Sequence, residues 1–179
     1  MNKDHLEVIV NNLLPYFHKA GDEALKRSLA GLKISIKPDN SPVTDGDIKV
    51  DKILREGIKK ITPSIPIISE ETVNIKIKNE KETFWLIDPI DGTKEYIKKK
   101  DEYTINAALI VNKRPVLGII NAPAKKKIFY SFGKGFAFTV NNDIKTTINC
   151  IKKTEKGKIF ALSHSENPTE DILKIFQKY

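Results

Sequence analysis

The sequence contains one cysteine, Cys150, and only 8% of its residues are aromatic. A single cysteine cannot form an internal disulfide, which is typical of a protein of the reducing cytoplasm. The apolar runs are short, Ala107 to Val111 being an example, whereas a membrane-spanning helix needs roughly 20 residues. The N-terminus carries Lys3 and Glu7 and lacks the apolar stretch of a secretory signal. We therefore expect a cytoplasmic protein without a transmembrane segment.

The chain is basic, since it contains 31 Lys and Arg residues and 23 Asp and Glu residues and has a formal net charge of +8. An excess of this kind favours anionic partners, nucleic acid among them. The lysines are scattered, however, apart from triplets at 98–100 and 125–127 beside turn signals, where such runs usually form solvated faces. Aromatic and basic residues do not alternate as a base-stacking surface requires. We expect small anionic molecules rather than nucleic acid as partners; the oligomeric state stays open.

The spacing of apolar residues predicts two helices, over residues 4–30 and 45–61. Pro15 and Gly21 are expected to bend or break the first helix. The rest of the chain contains segments with the pattern of β-strands, and residues typical of turns separate them. This order predicts an α+β fold in which helices pack against an antiparallel sheet. The predicted strands cover residues 32–37, 65–69, 84–87, 104–111, 116–121, 127–132, 136–140 and 145–150.

The length of 179 residues fits one domain, or one domain and a fraction of a second. Residues 158–163 predict a further strand, and Asn167–Glu170 has the proline and acidic residues that open a helix. We therefore interpret residues 1–156 as an N-terminal αβ lobe that carries the functional site. Residues 157–179 are interpreted as the start of a second αβ lobe.

The most informative stretch is Trp85–Thr93, with the sequence WLIDPIDGT. The apolar run before Asp88 is typical of a buried strand. A second carboxylate, Asp91, follows three residues later, and Gly92 permits a sharp turn or the close approach of a ligand. The first amides of a short helix starting at Thr93 would favour an anion such as phosphate.

Two carboxylates about 4 Å apart repel each other by roughly 4 kcal/mol at an effective dielectric constant of 20. Either one carboxyl is protonated or a cation lies between them. Oxygen ligands without nearby His or Cys favour Mg²⁺. Further carboxylates are present in Ser69–Glu71 and Thr44–Asp47, each at the edge of a predicted element. Each motif alone also fits a turn, a solvated loop or a helix cap, so the metal hypothesis depends on their combination.

At these residues the sequence resembles the lithium-sensitive, magnesium-dependent phosphatase superfamily that includes the inositol monophosphatases. The matching segments are Asp39–Asp47, Ile68–Glu71 and Trp85–Ile97. The sequence is most similar to the 3'(2'),5'-bisphosphate nucleotidases, because Lys94–Ile97 follows the Gly-Thr pair where inositol phosphatases usually have Thr-Asn-Phe. The resemblance implies a sugar-phosphatase fold with αβαβα layers, in which the N-terminal αβ lobe is present and most of the second lobe is missing.

The resemblance also implies roles for individual residues. Two or more Mg²⁺ ions would be held by carboxylates and one backbone carbonyl, and the attacking water would be activated by Asp47 with the hydroxyl of Thr93. Glu70 would take part in catalysis as well as in metal binding. The metal ligands are Glu70, Asp88, Ile90 and Asp91, and the substrate site comprises Glu70, Ile90, Asp91, Gly92 and Thr93, the last two through backbone amides.

The reaction implied is hydrolysis of the 3'-phosphate of adenosine 3',5'-bisphosphate to AMP and phosphate, a recycling step in sulfur assimilation. One alternative is an inositol monophosphatase. Another is a truncated lobe that binds metal weakly or serves as an interaction module through exposed apolar surface. A Trp-Asp motif that supplies a further metal ligand in the superfamily is missing, since Trp85 is the one tryptophan. Some members of the superfamily are found at the inner membrane face, so peripheral attachment stays open.

Overall fold

The computed structural model describes residues 2–72, 82–142, 144–149 and Glu170. The chain divides into two units, Met1–Ile148 and Asn149–Tyr179. Cys150, the predicted strand at 158–163 and residues 167–169, which open the predicted last helix, lie outside the described residues, so these expectations stay predictions.

Two helices form one layer of the first unit. Helix α1 covers Lys3–Ala30, and helix α2 covers Asp45–Ile61, close to the predicted bounds. The expectation that α1 breaks at Pro15 or Gly21 is wrong, because both residues lie inside one helix whose apolar face is buried on either side of them. Gly21 allows α1 to approach the sheet closely, since a Cβ atom there would lie 2.7 Å from Nδ2 of Asn121.

The strands of the first unit form two sheets. A two-stranded antiparallel hairpin pairs β1 (Ile34–Ile36) with β2 (Pro42–Thr44) and leads directly into α2. The second sheet has seven strands in chain order; β3 and β4 are parallel and every later pair is antiparallel. Its strands are β3 (Ile67–Ser69), β4 (Thr83–Asp91), β5 (Thr104–Val111), β6 (Arg114–Ala122), β7 (Lys127–Ser131), β8 (Ala137–Asn141) and β9 (Ile144–Thr147). The prediction of an α+β fold is confirmed.

The two faces of the seven-stranded sheet differ in burial. On the helix-facing side, Trp85, Leu109 and Ile119 are each at most 1% exposed. The opposite face carries Leu86 and Ile120, both 47% exposed. The apolar run before Asp88 forms the predicted strand, but it is buried on one face only, since alternate residues of β4 point to the two faces. No helix of the described residues is both long and apolar enough to cross a membrane.

Strand β4 continues to Asp91, three residues beyond its predicted end at Asp88. Its pairing with β5 is regular up to Asp88, which lies opposite Asn106, and becomes irregular before Asp91 meets Thr104. Such an irregularity re-aims side chains at the end of a strand. Both carboxylates therefore belong to the strand, and the turn follows at Gly92.

Candidate active site

Asp47 is held at the N-terminus of α2 by a capping box with Thr44. The Thr44 backbone N–H donates to Oδ2 of Asp47 at 2.8 Å, and the Asp47 N–H donates to the Thr44 hydroxyl at 3.3 Å. The threonine three residues before an acidic residue is the sequence signal for this arrangement. Asp47 is only 1% exposed, and burial raises its pKa, although its hydrogen bonds with Thr44 oppose the rise. Asp47 is thus a fixed carboxylate with an elevated proton affinity.

The hydroxyl of Thr93 lies beside Asp47, although 46 residues separate them in the chain. Oγ1 of Thr93 is 3.3 Å from Oδ1 of Asp47 and 3.1 Å from the carbonyl oxygen of Ile90. Thr93 opens the short helix α3 (Thr93–Ile97) directly after Gly92. Gly92 has φ +93°, and a Cβ atom there would lie 2.7 Å from the carbonyl oxygen of Glu102. Only glycine fits this turn without strain.

Tyr96 anchors α3 to both long helices. Its side chain is fully buried, and its hydroxyl donates to the carbonyl oxygen of Ala24 in α1 at 2.6 Å. A Cβ atom on Gly46 of α2 would lie 2.6 Å from the same hydroxyl, so Gly46 leaves the space that the tyrosine fills. Sequence reasoning used Tyr96 only as a mark of resemblance and missed this role. A tyrosine that anchors α3 also holds Thr93 near Asp47.

Asp88 lies on the sheet face opposite the helices, where other carboxylates surround it. Its Oδ1 atom is buried and has no hydrogen-bond partner among the described residues. Burial, followed by the charge of Glu70, a hydrogen bond with the Glu70 carboxylate and the charge of Asp91, raises the pKa of Asp88 to about 7. The three carboxylates predicted as metal ligands are therefore close enough to influence one another, and β3 and β4 bring them to one edge of the sheet.

Asn106 of β5 is a further polar residue at this edge. It lies opposite Asp88 in the sheet, and its Nδ2 donates to Oδ2 of Asp91 at 3.2 Å. The Asn106 Oδ1 is buried and, like that of Asp88, has no partner among the residues described. A lone asparagine inside an apolar strand was the only available signal, and sequence reasoning did not use it. Asn106 orients one of the two carboxylates of β4.

Glu70 begins a short 3-10 turn, Glu70–Thr72, at the end of β3. Its Oε1 accepts from Nζ of Lys37 in the β1–β2 hairpin at 2.9 Å, and Lys37 also donates to Glu71 at 2.9 Å. Burial would lower the pKa of Lys37, but the bonds to both glutamates outweigh it and raise that pKa. The preceding Ser69 donates to the buried Asp51 of α2. Sequence reasoning missed Lys37 and Asp51.

The donor set at this edge suits a hard divalent cation. All of its ligand atoms are oxygens, and the unpartnered buried oxygen of Asp88 fits a missing cation better than an ordinary polar contact. As the side chains stand, however, no three His, Cys, Asp or Glu residues of the described chain are arranged to hold one ion. Glu70 is instead engaged by Lys37. The residues fit Mg²⁺ in chemistry, while the geometry around Glu70 is that of an ion pair.

The fold is that of the α+β sugar phosphatases, as the resemblance implied. The family model of the inositol monophosphatase family matches residues 9–178, and the chain belongs to this family. The 3'(2'),5'-bisphosphate nucleotidase CysQ of Buchnera aphidicola is 44% identical over 102 residues, which are 56% of this chain and 38% of that protein. The CysQ of Salmonella typhimurium is 34% identical over 139 residues, which are 77% of this chain and 56% of that protein. The chain thus spans about half the length of these relatives or less.

Solved structures show the same fold. CysQ from Bacteroides thetaiotaomicron, a bacterial member of the inositol monophosphatase family, superposes with a TM-score of 0.59 at 25% identity, over 93% of this chain and 66% of that one. A structure described as IMPase/NADP phosphatase complexed with Mg²⁺ and phosphate gives a TM-score of 0.66 at 22% identity, over 78% and 52% of the two chains. These structures support the fold, and the family expected from the sequence is confirmed by the family model.

Proposed function

We propose that the protein is a Mg²⁺-dependent phosphomonoesterase that removes the 3'-phosphate of adenosine 3',5'-bisphosphate to give AMP and phosphate. One observation carries the proposal: the Thr93 hydroxyl lies between the buried carboxylate of Asp47 and the end of the strand that holds Asp88 and Asp91. A proton acceptor, a hydroxyl and a group of candidate metal ligands therefore adjoin one another. Hydrolysis by water without a protein nucleophile uses groups of these three kinds.

The metal would be held by the carboxylates of Glu70, Asp88 and Asp91 and by the backbone carbonyl of Ile90. Bound there, Mg²⁺ lowers the pKa of a water ligand and neutralises charge on phosphoryl oxygens. Asn106 supports this role because it fixes Asp91 by a hydrogen bond at 3.2 Å. The site would hold two or more Mg²⁺ ions, as the resemblance implies.

Asp47 and Thr93 would activate the attacking water. The Thr93 hydroxyl donates to Asp47, which leaves the lone pairs of Oγ1 to accept a proton from water. As the water oxygen attacks phosphorus, its proton passes to Thr93 Oγ1 and the threonine proton passes to Asp47. The bond between phosphorus and the 3'-oxygen breaks at the same time, and the leaving oxygen takes a proton from solvent to become the 3'-hydroxyl of AMP. The raised pKa of Asp47 favours its final protonated state. The capping box keeps the acceptor oriented throughout.

The substrate assignment is supported by the relatives, since the Buchnera and Salmonella proteins are both named 3'(2'),5'-bisphosphate nucleotidases. The phosphate would be bound at Gly92 and Thr93 by backbone amides, beside Glu70, Ile90 and Asp91. We also propose a cytoplasmic location and a role in recycling the bisphosphate formed in sulfur assimilation. Peripheral attachment to the membrane has no support in the comparisons.

Phosphate release with and without Mg²⁺ tests this function. Wild-type protein should release phosphate faster from adenosine 3',5'-bisphosphate than from inositol monophosphate, and chelation of Mg²⁺ should stop the reaction. Thr93→Val should lower kcat by about 10²- to 10⁴-fold, because it removes the hydroxyl that carries the proton. Thr93→Ser should keep most activity. Thr146→Val in exposed β9 is the matched control and should change nothing.

Each alternative outcome has a distinct meaning. Faster release from inositol monophosphate would identify an inositol monophosphatase instead. Equal activity of Thr93→Val and wild type would refute the proposed proton path. If the chain binds Mg²⁺ in calorimetry but releases no phosphate from either substrate, the proposal fails in favour of a metal-binding module.

A further inference from the structure

Lys37 connects the β1–β2 hairpin to the acidic edge of the large sheet. Its ammonium nitrogen lies 2.9 Å from Oε1 of Glu70 and 2.9 Å from Oε1 of Glu71. The ammonium group and Glu71 are shielded from solvent, because their side chains are 19% and 8% exposed, whereas the Glu70 side chain is 49% exposed and open to a competing cation. Shielding makes such an ion pair stronger than one on an open surface.

The acidic edge has few other positive charges. Four carboxylates gather there, and among the described residues Lys37 is the one cation that forms an ion pair with any of them. Without a cation the mutual repulsion of these groups would destabilise the fold. The carboxylates are those of Glu70, Glu71, Asp88 and Asp91.

The same contact involves a carboxylate of the proposed metal site. Glu70 is one of three carboxylates proposed as metal ligands, yet the described side chains do not form a ligand set. One of the two carboxylate oxygens of Glu70, Oε1, accepts a hydrogen bond from the ammonium group of Lys37. An ammonium group and a divalent cation cannot both take the same carboxylate oxygen at close range, since they repel each other.

We propose that Lys37 is an internal counter-ion that competes with Mg²⁺ for the carboxylate of Glu70. Lys37 stabilises the acidic edge of the metal-free protein, and binding of the metal displaces its ammonium group from Glu70. The inference rests on the proposed metal site. It adds that the affinity for Mg²⁺ is set partly by a residue that is not itself a ligand.

The hairpin should respond to this displacement. Its tip is closed by a hydrogen bond from the Lys37 N–H to the carbonyl oxygen of Ser41 at 2.8 Å and by one from the Asn40 N–H to the carbonyl oxygen of Lys37 at 2.9 Å. Its base is tied independently, since the Lys33 N–H donates to Asp45 of α2 at 2.9 Å. Release of Lys37 should therefore loosen the tip and leave the base in place.

Three variants test the inference by calorimetry with MgCl₂ and by thermal unfolding in chelator. Lys37→Met removes the ammonium group but keeps an unbranched side chain. Lys33→Met removes an equal charge from an exposed position at the base of the same hairpin and is the matched control. Lys37→Arg keeps the charge and serves as the conservative variant if Lys37→Met folds poorly.

We expect Lys37→Met to bind Mg²⁺ roughly 5- to 10-fold more tightly than wild type, the effect of removing one partly buried ion pair. In chelator the same variant should unfold at a lower temperature. Lys33→Met should match wild type in both measurements, and Lys37→Arg should stay close to it. In wild type, Mg²⁺ should accelerate amide exchange at Lys37 and Asn40.

The outcomes separate this inference from the proposed function. Equal or weaker Mg²⁺ binding by Lys37→Met, with clear binding by wild type, overturns the competition and leaves the metal site standing. Absence of Mg²⁺ binding in wild type, Lys37→Met and Lys37→Arg alike overturns the metal site and the competition together. An unchanged unfolding temperature of metal-free Lys37→Met overturns the counter-ion role.

Discussion

The hydroxyl of Tyr96 donates a hydrogen bond to the backbone carbonyl of Ala24, 72 residues earlier in the chain, at 2.6 Å. This contact fastens α3, a helix of five residues, to a helix of 28 residues. A helix of five residues has little stability of its own. The position of Thr93 relative to Asp47 therefore depends on Tyr96 and on the space that Gly46 leaves for it.

Tyr96→Phe should lower the free energy of unfolding by about 1–2 kcal/mol, because it removes a buried hydrogen bond and leaves the ring in place. Denaturant unfolding measures the loss. Tyr103→Phe is the control: the Tyr103 hydroxyl is buried without a partner among the described residues, so its removal should be neutral or stabilising. A larger loss for Tyr103→Phe than for Tyr96→Phe would contradict the assignment.

Gly92→Ala should destabilise the fold by about 1–3 kcal/mol and displace Thr93, because the residue has φ +93° and a Cβ atom would meet the Glu102 carbonyl at 2.7 Å. Thermal unfolding and the phosphate-release assay measure the two effects. Gly118→Ala in β6 is the matched control, since a Cβ atom there meets nothing within 4 Å. Equal stability of the two variants would show that the turn tolerates a side chain.

Asp88→Asn should change how the stability of the metal-free protein depends on pH. The pKa of Asp88 is raised from its ordinary value of 3.8 to about 7, so the folded state keeps the proton that the unfolded chain loses. The stabilisation from Asp88 is complete below about pH 4 and is lost as the pH rises to about 7. Asp88→Asn does not lose stability in this way. The stability of the variant relative to wild type should therefore increase from about pH 4 to about pH 7 and then stay constant.

Thermal unfolding in chelator at intervals between pH 4 and pH 8 measures this difference. Asp22→Asn removes an exposed carboxylate from α1 and should follow the wild-type curve. A constant difference between Asp88→Asn and wild type over the whole range would mean that the pKa of Asp88 is not raised.

Thr44→Ala should destabilise the protein by about 0.5–2 kcal/mol, since Thr44 is the N-cap of α2 and also bonds to Asp47. Thr44→Ser keeps the hydroxyl and should recover most of the loss. Denaturant unfolding gives the free energies, and Thr147→Ala in exposed β9 controls for loss of a threonine elsewhere. Failure of Thr44→Ser to exceed Thr44→Ala in stability would rule out the capping role.

Local patterns were the part of the fold that sequence reasoning predicted best. Helix α2 and strand β5 have the bounds expected for them, because a cap, an amphipathic face and flanking turns lie within each segment. The continuation of β4 to Asp91 and the unbroken course of α1 through Pro15 were not predicted. In both cases pairing or packing with distant residues outweighs a local breaker.

The candidate ligands Glu70, Asp88 and Asp91 were named from motifs, and the structure places them at one edge of the sheet. Their role in metal binding stays a prediction. Lys37 was missed because nothing in its local sequence distinguishes it, and the one signal for Asn106, a lone asparagine inside an apolar strand, was not used. The role of each residue comes from a hydrogen bond to another element of the fold. Lys37 of the hairpin donates to Glu70, and Asn106 of β5 donates to Asp91.

The sequence by itself determined the family, most of the helices and strands, and the identity of the acidic residues, since these depend on short-range spacing and residue type. The tertiary structure alone decided which oxygens are buried, which carboxylate meets Lys37, and how Tyr96 holds Thr93 beside Asp47. Such contacts join residues far apart in the chain, and their distances and shielding arise only when the helices pack on the sheet.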